Sequence, residues 1–201
     1  MYGQEIAHKL FPAVPQSPPK LNAVSKRRGP YTILIDSREK IPLKFPRMLP
    51  ILDPDYAPHH TKTQTVGLRT ESVTLKTGDY TLKGHEDLCI IERKYTVGEL
   101  QKNLLTTIGY RNFRAECQRL SDECAHPIIL FEGALEDLLR PTIHVPDPWK
   151  VADALFDLTW CYNIQLLGLR SSSVFQRQRT GEAAARLLLR ALFQKELAHV
   201  N

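Results

Sequence analysis

Cysteine is scarce in this chain, and what there is does not pair. Cys89, Cys117, Cys124 and Cys161 form no C-x-x-C unit, which argues against a disulfide framework or a zinc finger and leaves buried free thiols as the expectation. The adjacent His59 and His60 have no partner at ligand spacing, so they are assigned to a loop. No apolar run approaches the length that crosses a bilayer, so no membrane partner is expected. The first residues, MYGQEIAHKLFPAVP, lack the basic start and apolar stretch of a secretory signal. An intracellular protein is the expectation, in the cytoplasm of its host cell or in a nucleus. Internal repeats and a second domain are also lacking.

What is present is basic. The 201 residues carry 27 Lys and Arg against 22 Asp and Glu, a formal charge of +5. Such a balance favours polyanionic partners, because each phosphate contact releases counterions. Residues 1–30 hold Pro12, Pro15, Pro18, Pro19 and Pro30 and end in Lys20, Lys26, Arg27 and Arg28. They read as a flexible basic arm, with one domain over 31–201.

Within that domain YTILID reads as a buried strand. Residues 41–65, rich in proline, read as loop, and ESVTL at 71–75 alternates as a strand does. KTGDY marks a turn at Gly78, and TLK and LCIIERK form a hairpin about Gly84. Thr96 and Glu99 have capping-box spacing for a helix to about 107. A second helix is expected over about 111–124, then a strand at PIILFEG, a helix over about 148–162 begun by Asp147-Pro148, and a short strand at IQLLGL. Thr180 is expected to cap a long final helix. Strands first, then helices alternating with strands, predict an α/β fold: a mixed central sheet flanked by helices, in a single domain.

Three segments place acidic residues at strand ends or turns: IDSRE with Asp36, Arg38 and Glu39; TGDY with Asp79; IIERK with Glu92, Arg93 and Lys94. The last is the oddest, since a carboxylate following LCII in a half-buried strand needs partners. A magnesium ion supplies one, taking oxygen ligands from one or two carboxylates plus water and phosphate. It polarises a phosphodiester and acidifies a bound water. Lys94, two residues after Glu92, points to the same face of a strand and can approach the same phosphate. Singly, each segment is ordinary: a turn, a hairpin, a solvated charge run. Their order and spacing together point to a site.

That order resembles the XPF/Hef family of structure-specific endonucleases, whose signature is G-D, a variable hairpin, then E-R-K-x-x-x-D. The matching residues are Gly78-Asp79 and Glu92-Arg93-Lys94, with the upstream D-x-R-E as Asp36-x-Arg38-Glu39. Glu71 stands where the family often has an acidic residue. Arg111, Phe113, Glu116, Arg119 and Leu120 match a downstream pattern, followed by Phe131-Glu132-Gly133. The resemblance implies a restriction-endonuclease-like core that cleaves branched or junction-containing DNA with Mg2+ (or Mn2+). Asp36, Asp79 and Glu92 would hold the metal, and Lys94 would position water or phosphate. Arg38 and Arg111 are candidates for phosphate contact; Arg93 is expected to brace the site through ion pairs. The chain departs from the family where its last motif aspartate is replaced by Gly98, with Glu99 beside it and expected to cap the helix. The region from Arg179 onward reads as one helix without helix-hairpin-helix modules, similar to stand-alone versions of the domain in phages. A non-catalytic DNA-binding subunit, a restriction enzyme on the same core and an RNA-directed nuclease are the rival readings. Ala184, Leu187, Leu188, Leu189, Ala191 and Leu192 form an apolar stripe on the final helix. The stripe suggests either packing on the sheet or a homodimer, with Arg186 and Arg190 beside the interface or facing DNA.

Overall fold

The computed structural model describes residues 29–52, 63–170 and 173–198. The expected arm falls almost wholly outside these, as does the His59-His60 pair. A seven-stranded mixed sheet runs in the order β2-β3-β1-β4-β5-β6-β7. Its strands are β1 (Tyr31–Asp36), β2 (Met48–Leu52), β3 (Thr63–Val73), β4 (Tyr80–Leu82), β5 (Cys89–Lys94), β6 (His126–Phe131) and β7 (Gln165–Gly168). β1 and β3 are parallel, as are β5, β6 and β7, while β2 and β4 run antiparallel to their neighbours. Helices α1 (Val97–Leu105), α2 (Thr107–Glu123) and α3 (Pro148–Cys161) cover one face, and α4 (Val174–Ala198) covers the other. This is the α/β, helix-flanked single domain expected.

Two-faced burial explains the central strands. In β5, Cys89 and Ile91 belong to the core beneath α4, and Ile90 to the core beneath α1–α3. β6 divides the same way, with Ile128 and Leu130 on the α4 side and Ile129 and Phe131 on the other. A strand covered on both faces has no need of polar alternation, hence the runs LCII and PIILF.

The stretch 41–65 is not simply loop. It contains β2 and the start of β3, so β3 begins at Thr63 rather than at Glu71. Pro50 accounts for the difference, since proline argues against a central strand. β2 is an edge strand, bonded only to β3, where a missing N–H costs little. Leu49 and Ile51 alternate inward while Met48, Pro50 and Leu52 remain exposed. Thr180 is likewise no cap. α4 starts six residues earlier, and its first turn is held by Ser173, whose Oγ accepts from Gln176 N at 3.2 Å while Ser173 N donates to Gln176 Oε1 at 3.1 Å. Thr180 lies inside the helix and donates back to the Gln176 carbonyl. Thr96 does cap α1, accepting from Glu99 N at 3.0 Å, and the Glu99 carboxylate receives Tyr95 N at 2.9 Å. Of the thiols Cys161 is exposed, against expectation, because it ends α3 on its outer side; the other three are buried.

The apolar stripe of α4 turns inward. Ala184, Ala185, Leu188, Leu189, Ala191, Leu192 and Phe193 pack against β-strand residues such as Ile33, Val66, Tyr80 and Ile91. Arg186 and Arg190 donate to the carbonyls of Pro50 at 2.9 Å and Leu52 at 3.1 Å on the edge strand. The helix therefore secures a sheet edge, and the stripe that suggested a homodimer is spent on the chain's own core. Replacing Leu188, 1% exposed, by alanine is expected to cost about 3 kcal/mol and roughly 6–12 °C in melting temperature. A thermal melt showing less than about 1 kcal/mol would mean that the helix does not hold the sheet this way.

Candidate active site

The cleft lies at the carboxyl ends of β1 and β5, where antiparallel β4 separates the parallel pair β1 and β3 from the parallel strands β5, β6 and β7. Backbone hydrogen bonds fix its floor. Asp36 N donates to Asp79 O at 2.9 Å and Asp79 N donates to Ile91 O at 2.9 Å, so the turn before β4 is clamped between β1 and β5. Gly78 makes that turn possible. Its φ is +71°, and a β-carbon there would overlap the Ile90 side chain. In β5, parity sends Glu92 and Lys94 toward α2 and sends Arg93 through the sheet to the other side.

Asp36, Arg38, Lys76, Thr77, Gly78, Asp79, Glu92, Glu116 and Arg119 line a cleft of about 260 Å³. Each carboxylate has a defined hold. Asp36 accepts from Arg38 Nε at 2.7 Å and, through its other oxygen, from Arg38 N at 3.3 Å and Leu75 N at 3.4 Å. Asp79 accepts from Arg93 N at 2.8 Å. Glu92 accepts from Lys94 Nζ at 2.6 Å, and the same ammonium reaches Glu116 at 3.3 Å. Lys94 also lies over the Phe113 ring, 4.9 Å from its centre. Burial alone would push this ammonium down, but Glu92 and Glu116 outweigh it and hold Lys94 charged, above its ordinary range.

The carboxyls are raised as well, which for an acid favours the uncharged form. Burial lifts Asp79 from 3.8 to about 6; Glu39 and Glu116 add to this, while the Arg93 N–H and Lys94 oppose it. Glu92 is raised well above its ordinary value, first by burial, against which Lys94 works, and further by Asp79 and Glu116. Such an arrangement is costly without a cation.

The expected residues separate into groups. Asp36, Arg38, Asp79 and Glu92 share the cleft, and Lys94 is bonded to its wall. Arg93 braces: its guanidinium is buried and reaches Glu132, Glu39 at 2.9 Å and the Ile41 carbonyl at 2.8 Å. Glu39 is therefore a structural partner outside the cleft. Glu71 pairs with Lys83 at 2.6 Å, the two meeting across β1, and it is not among the residues that line the cleft. Arg111 is exposed and lines a different hollow on α2. In the sequence Glu116 and Arg119 stand only as members of the downstream pattern; their helical spacing from Phe113 and Leu120, which are buried, is the signal that they edge the same face. Lys76, paired with Glu123 at 2.6 Å, and Thr77 had no distinguishing signal.

Among the described residues, no three acidic, histidine or cysteine side chains stand close enough together to hold a metal ion. The donor chemistry nonetheless fits a hard divalent cation, which needs only one or two carboxylates with water and phosphate completing its shell. Asp79 and Glu92, each with an oxygen left over from its bond in the cleft, could supply that pair, and Asp36 retains lone pairs that could accept from a water.

The ERCC4 domain model matches residues 35–177, more than half of the chain. Among solved structures, XPF from Aeropyrum pernix is similar at 21% identity with a TM-score of 0.51, over 78% of this chain and 60% of that one. A second structure of XPF from Aeropyrum pernix, in complex with DNA, is similar at 19% identity over 80% of this chain and 66% of that one, with a TM-score of 0.47. The chain thus spans 60% of the length of the first of these structures. At these identities the likeness concerns the fold, here the restriction-endonuclease-like one. No curated protein matches the chain.

The raised Asp79 carboxyl has a consequence for stability. Between about pH 4 and 6 the folded chain keeps a proton that the unfolded chain has lost. Its stability therefore falls as pH rises through that window, by up to about 3 kcal/mol if the shift is near two units. Asp79→Asn is expected to remove the penalty, since the amide oxygen can still accept from Arg93 N. Without added metal at pH 7.5 it should melt higher than the parent chain, by up to roughly 6–12 °C. A melting temperature equal to or below that of the parent would show that the carboxylate is not under electrostatic strain.

Proposed function

The chain belongs to the ERCC4-domain family, and from that premise we propose that it is a divalent-metal-dependent DNA endonuclease acting on branched or junction-containing DNA. The observation that carries this is the buried Glu92–Lys94 pair beside Asp79 in one cleft, with both carboxyls raised. Charges placed so expensively mark a working site more often than a scaffold.

In this reading Asp79 and Glu92 hold Mg2+ or Mn2+, with Asp36 supporting the shell. When bound, the cation polarises the scissile phosphate and makes a coordinated water a better nucleophile at neutral pH. The protein's own residues do the rest. Lys94, held by Glu92 and Glu116, points its remaining N–H toward the attacked phosphate or the incoming water and offsets charge that develops there. Arg38 fixes Asp36 while its side chain stays 65% exposed, where it can meet a phosphate of the bound strand. Arg119, on the α2 wall, faces the same path. The cleft is lined chiefly by charged side chains, which suits a backbone phosphate better than a base or an apolar ligand.

A non-catalytic DNA-binding subunit is the second reading, favoured by the lack of three converging ligands among the described residues. Cleavage of end-labelled flap, fork, nicked, four-way and linear DNA separates the two. Metal-dependent cutting of one or more branched forms is expected, with EDTA stopping it and Mg2+ or Mn2+ restoring it. Asp79→Asn should lower the rate at least about 1,000-fold while changing DNA affinity less than about threefold, the pattern of a lost transition-state interaction. Binding without cutting in every metal would favour the second reading, and undiminished cutting by Asp79→Asn would displace the site.

A further inference from the structure

On α2, the helix that carries Glu116 and Arg119 into the cleft, the flank away from the cleft is occupied by Arg111, Arg114, Ala115 and Gln118. With Tyr110 and Tyr162 these line a hollow of about 370 Å³. Tyr162 comes from the residue after α3, where the chain turns through Asn163 at φ +51°. Its hydroxyl accepts from Arg114 Nε at 3.0 Å, so the guanidinium is tethered to the phenol and fixed in place at the rim. Tyr110 is 39% exposed, and Arg111 makes no ion pair with any described residue. The groups that bear most strongly on Arg114 are Tyr162, Tyr110 and Cys161, with no carboxylate among them. Gln118 keeps the one acid of the next turn, Asp122, occupied at 2.8 Å. Two guanidinium groups without acidic partners, set between two phenol rings on one wall of a concave surface, differ from an ordinary solvated charge run, where Lys and Arg alternate with Asp and Glu.

We propose that this hollow is a binding site for a single-stranded arm of the DNA substrate, with Arg111 and Arg114 on successive phosphates and the rings of Tyr110 and Tyr162 as stacking surfaces for unpaired bases. Duplex bases are already stacked on each other and cannot use the rings, whereas unpaired bases can. Arg114 lies on the flank of the helix away from Glu116, but Arg111, Ala115 and Arg119 follow one another at four-residue spacing over its exposed outer side, so a strand leaving the cleft can cross the helix to the hollow within a few nucleotides. The site thereby gives the nuclease a means of telling a flap or fork from plain duplex. It rests on the nuclease reading for its purpose, but not for its test.

The test measures binding with the full chain in EDTA, where no cleavage occurs. Fluorescence anisotropy compares a flap bearing a thymidine arm with a linear duplex of equal length. The parent chain is expected to prefer the flap. Arg111→Ala/Arg114→Ala should weaken flap binding about tenfold, reduce its log–log salt slope by roughly 1.4, and erase most of the preference over duplex. Tyr110→Ala should also weaken the flap, with the salt slope unchanged. Because these side chains are exposed, melting temperatures within about 2 °C of the parent are expected. No preference for the flap in the parent chain, an equal loss on flap and duplex, or no loss in either variant would overturn the proposal. Failure of the nuclease reading shows separately, as intact arm binding in a chain that cuts nothing in Mg2+ or Mn2+.

Discussion

The structure depends on keeping three consecutive charged residues, Glu92, Arg93 and Lys94, inside a central strand. All three are under a tenth exposed. Unpaired, each would cost several kcal/mol, so much of the surrounding architecture serves to match them. On the α4 side of the sheet Arg93 is met by Glu39, Glu132 and the Ile41 carbonyl. On the α2 side Lys94 is met by Glu92 and Glu116. The strand thus separates two jobs by parity. Its odd charge secures the loop after β1 and the end of β6, and its even charges form the wall of the cleft.

The match is complete on one side and incomplete on the other. Arg93 is saturated by two carboxylates and a carbonyl, as a bracing group should be. On the cleft side Asp36, Asp79, Glu92 and Glu116 face the cations Lys94 and Arg38, together with the more exposed Arg119 and Lys76. Burial first, and the neighbouring acids second, leave the carboxyls of Asp79 and Glu92 lifted. The fold tolerates this because the turn bearing Asp79 is held by backbone bonds to β1 and β5, which do not depend on the state of its side chain. Rigidity of this kind lets a site stay arranged for a ligand at the expense of some stability.

Support for the cleft comes from both layers of helices. α4 reaches across to the edge strand, where Arg186 and Arg190 cover two carbonyls of β2, and Gly181 lets it approach the Lys44 backbone more closely than any larger residue would. The loop 37–47 that follows Asp36 is thereby pressed onto the sheet, with Leu43 buried and its N–H donating to the Tyr80 hydroxyl at 3.0 Å. Tyr80 is the residue after Asp79. The two cores and the site are in this sense one construction, and no helix among the described residues is long and apolar enough to cross a membrane.

The sequence by itself determined the class of fold, the central strands and the residues from which a site can be built. LCII and PIILF are readable because burial on both faces demands unbroken apolar runs, and D-S-R-E, G-D-Y and E-R-K are readable because charges at such strand ends need a reason. Three kinds of fact required tertiary structure. Pro50 in β2 became intelligible only once that strand was seen at the edge of the sheet, since a local reading cannot tell an edge from a centre. The start of α4 was set by a Ser173–Gln176 cap hidden ahead of the more conspicuous Thr180. Within the acidic and basic residues, only the packing decided that Glu39 and Glu71 lie outside the cleft and Glu116 and Arg119 inside it. Position along the strand, the course of the loop after β1 and helix rotation fix such assignments through contacts between residues distant in the chain, and those contacts leave little trace in the local order of the letters.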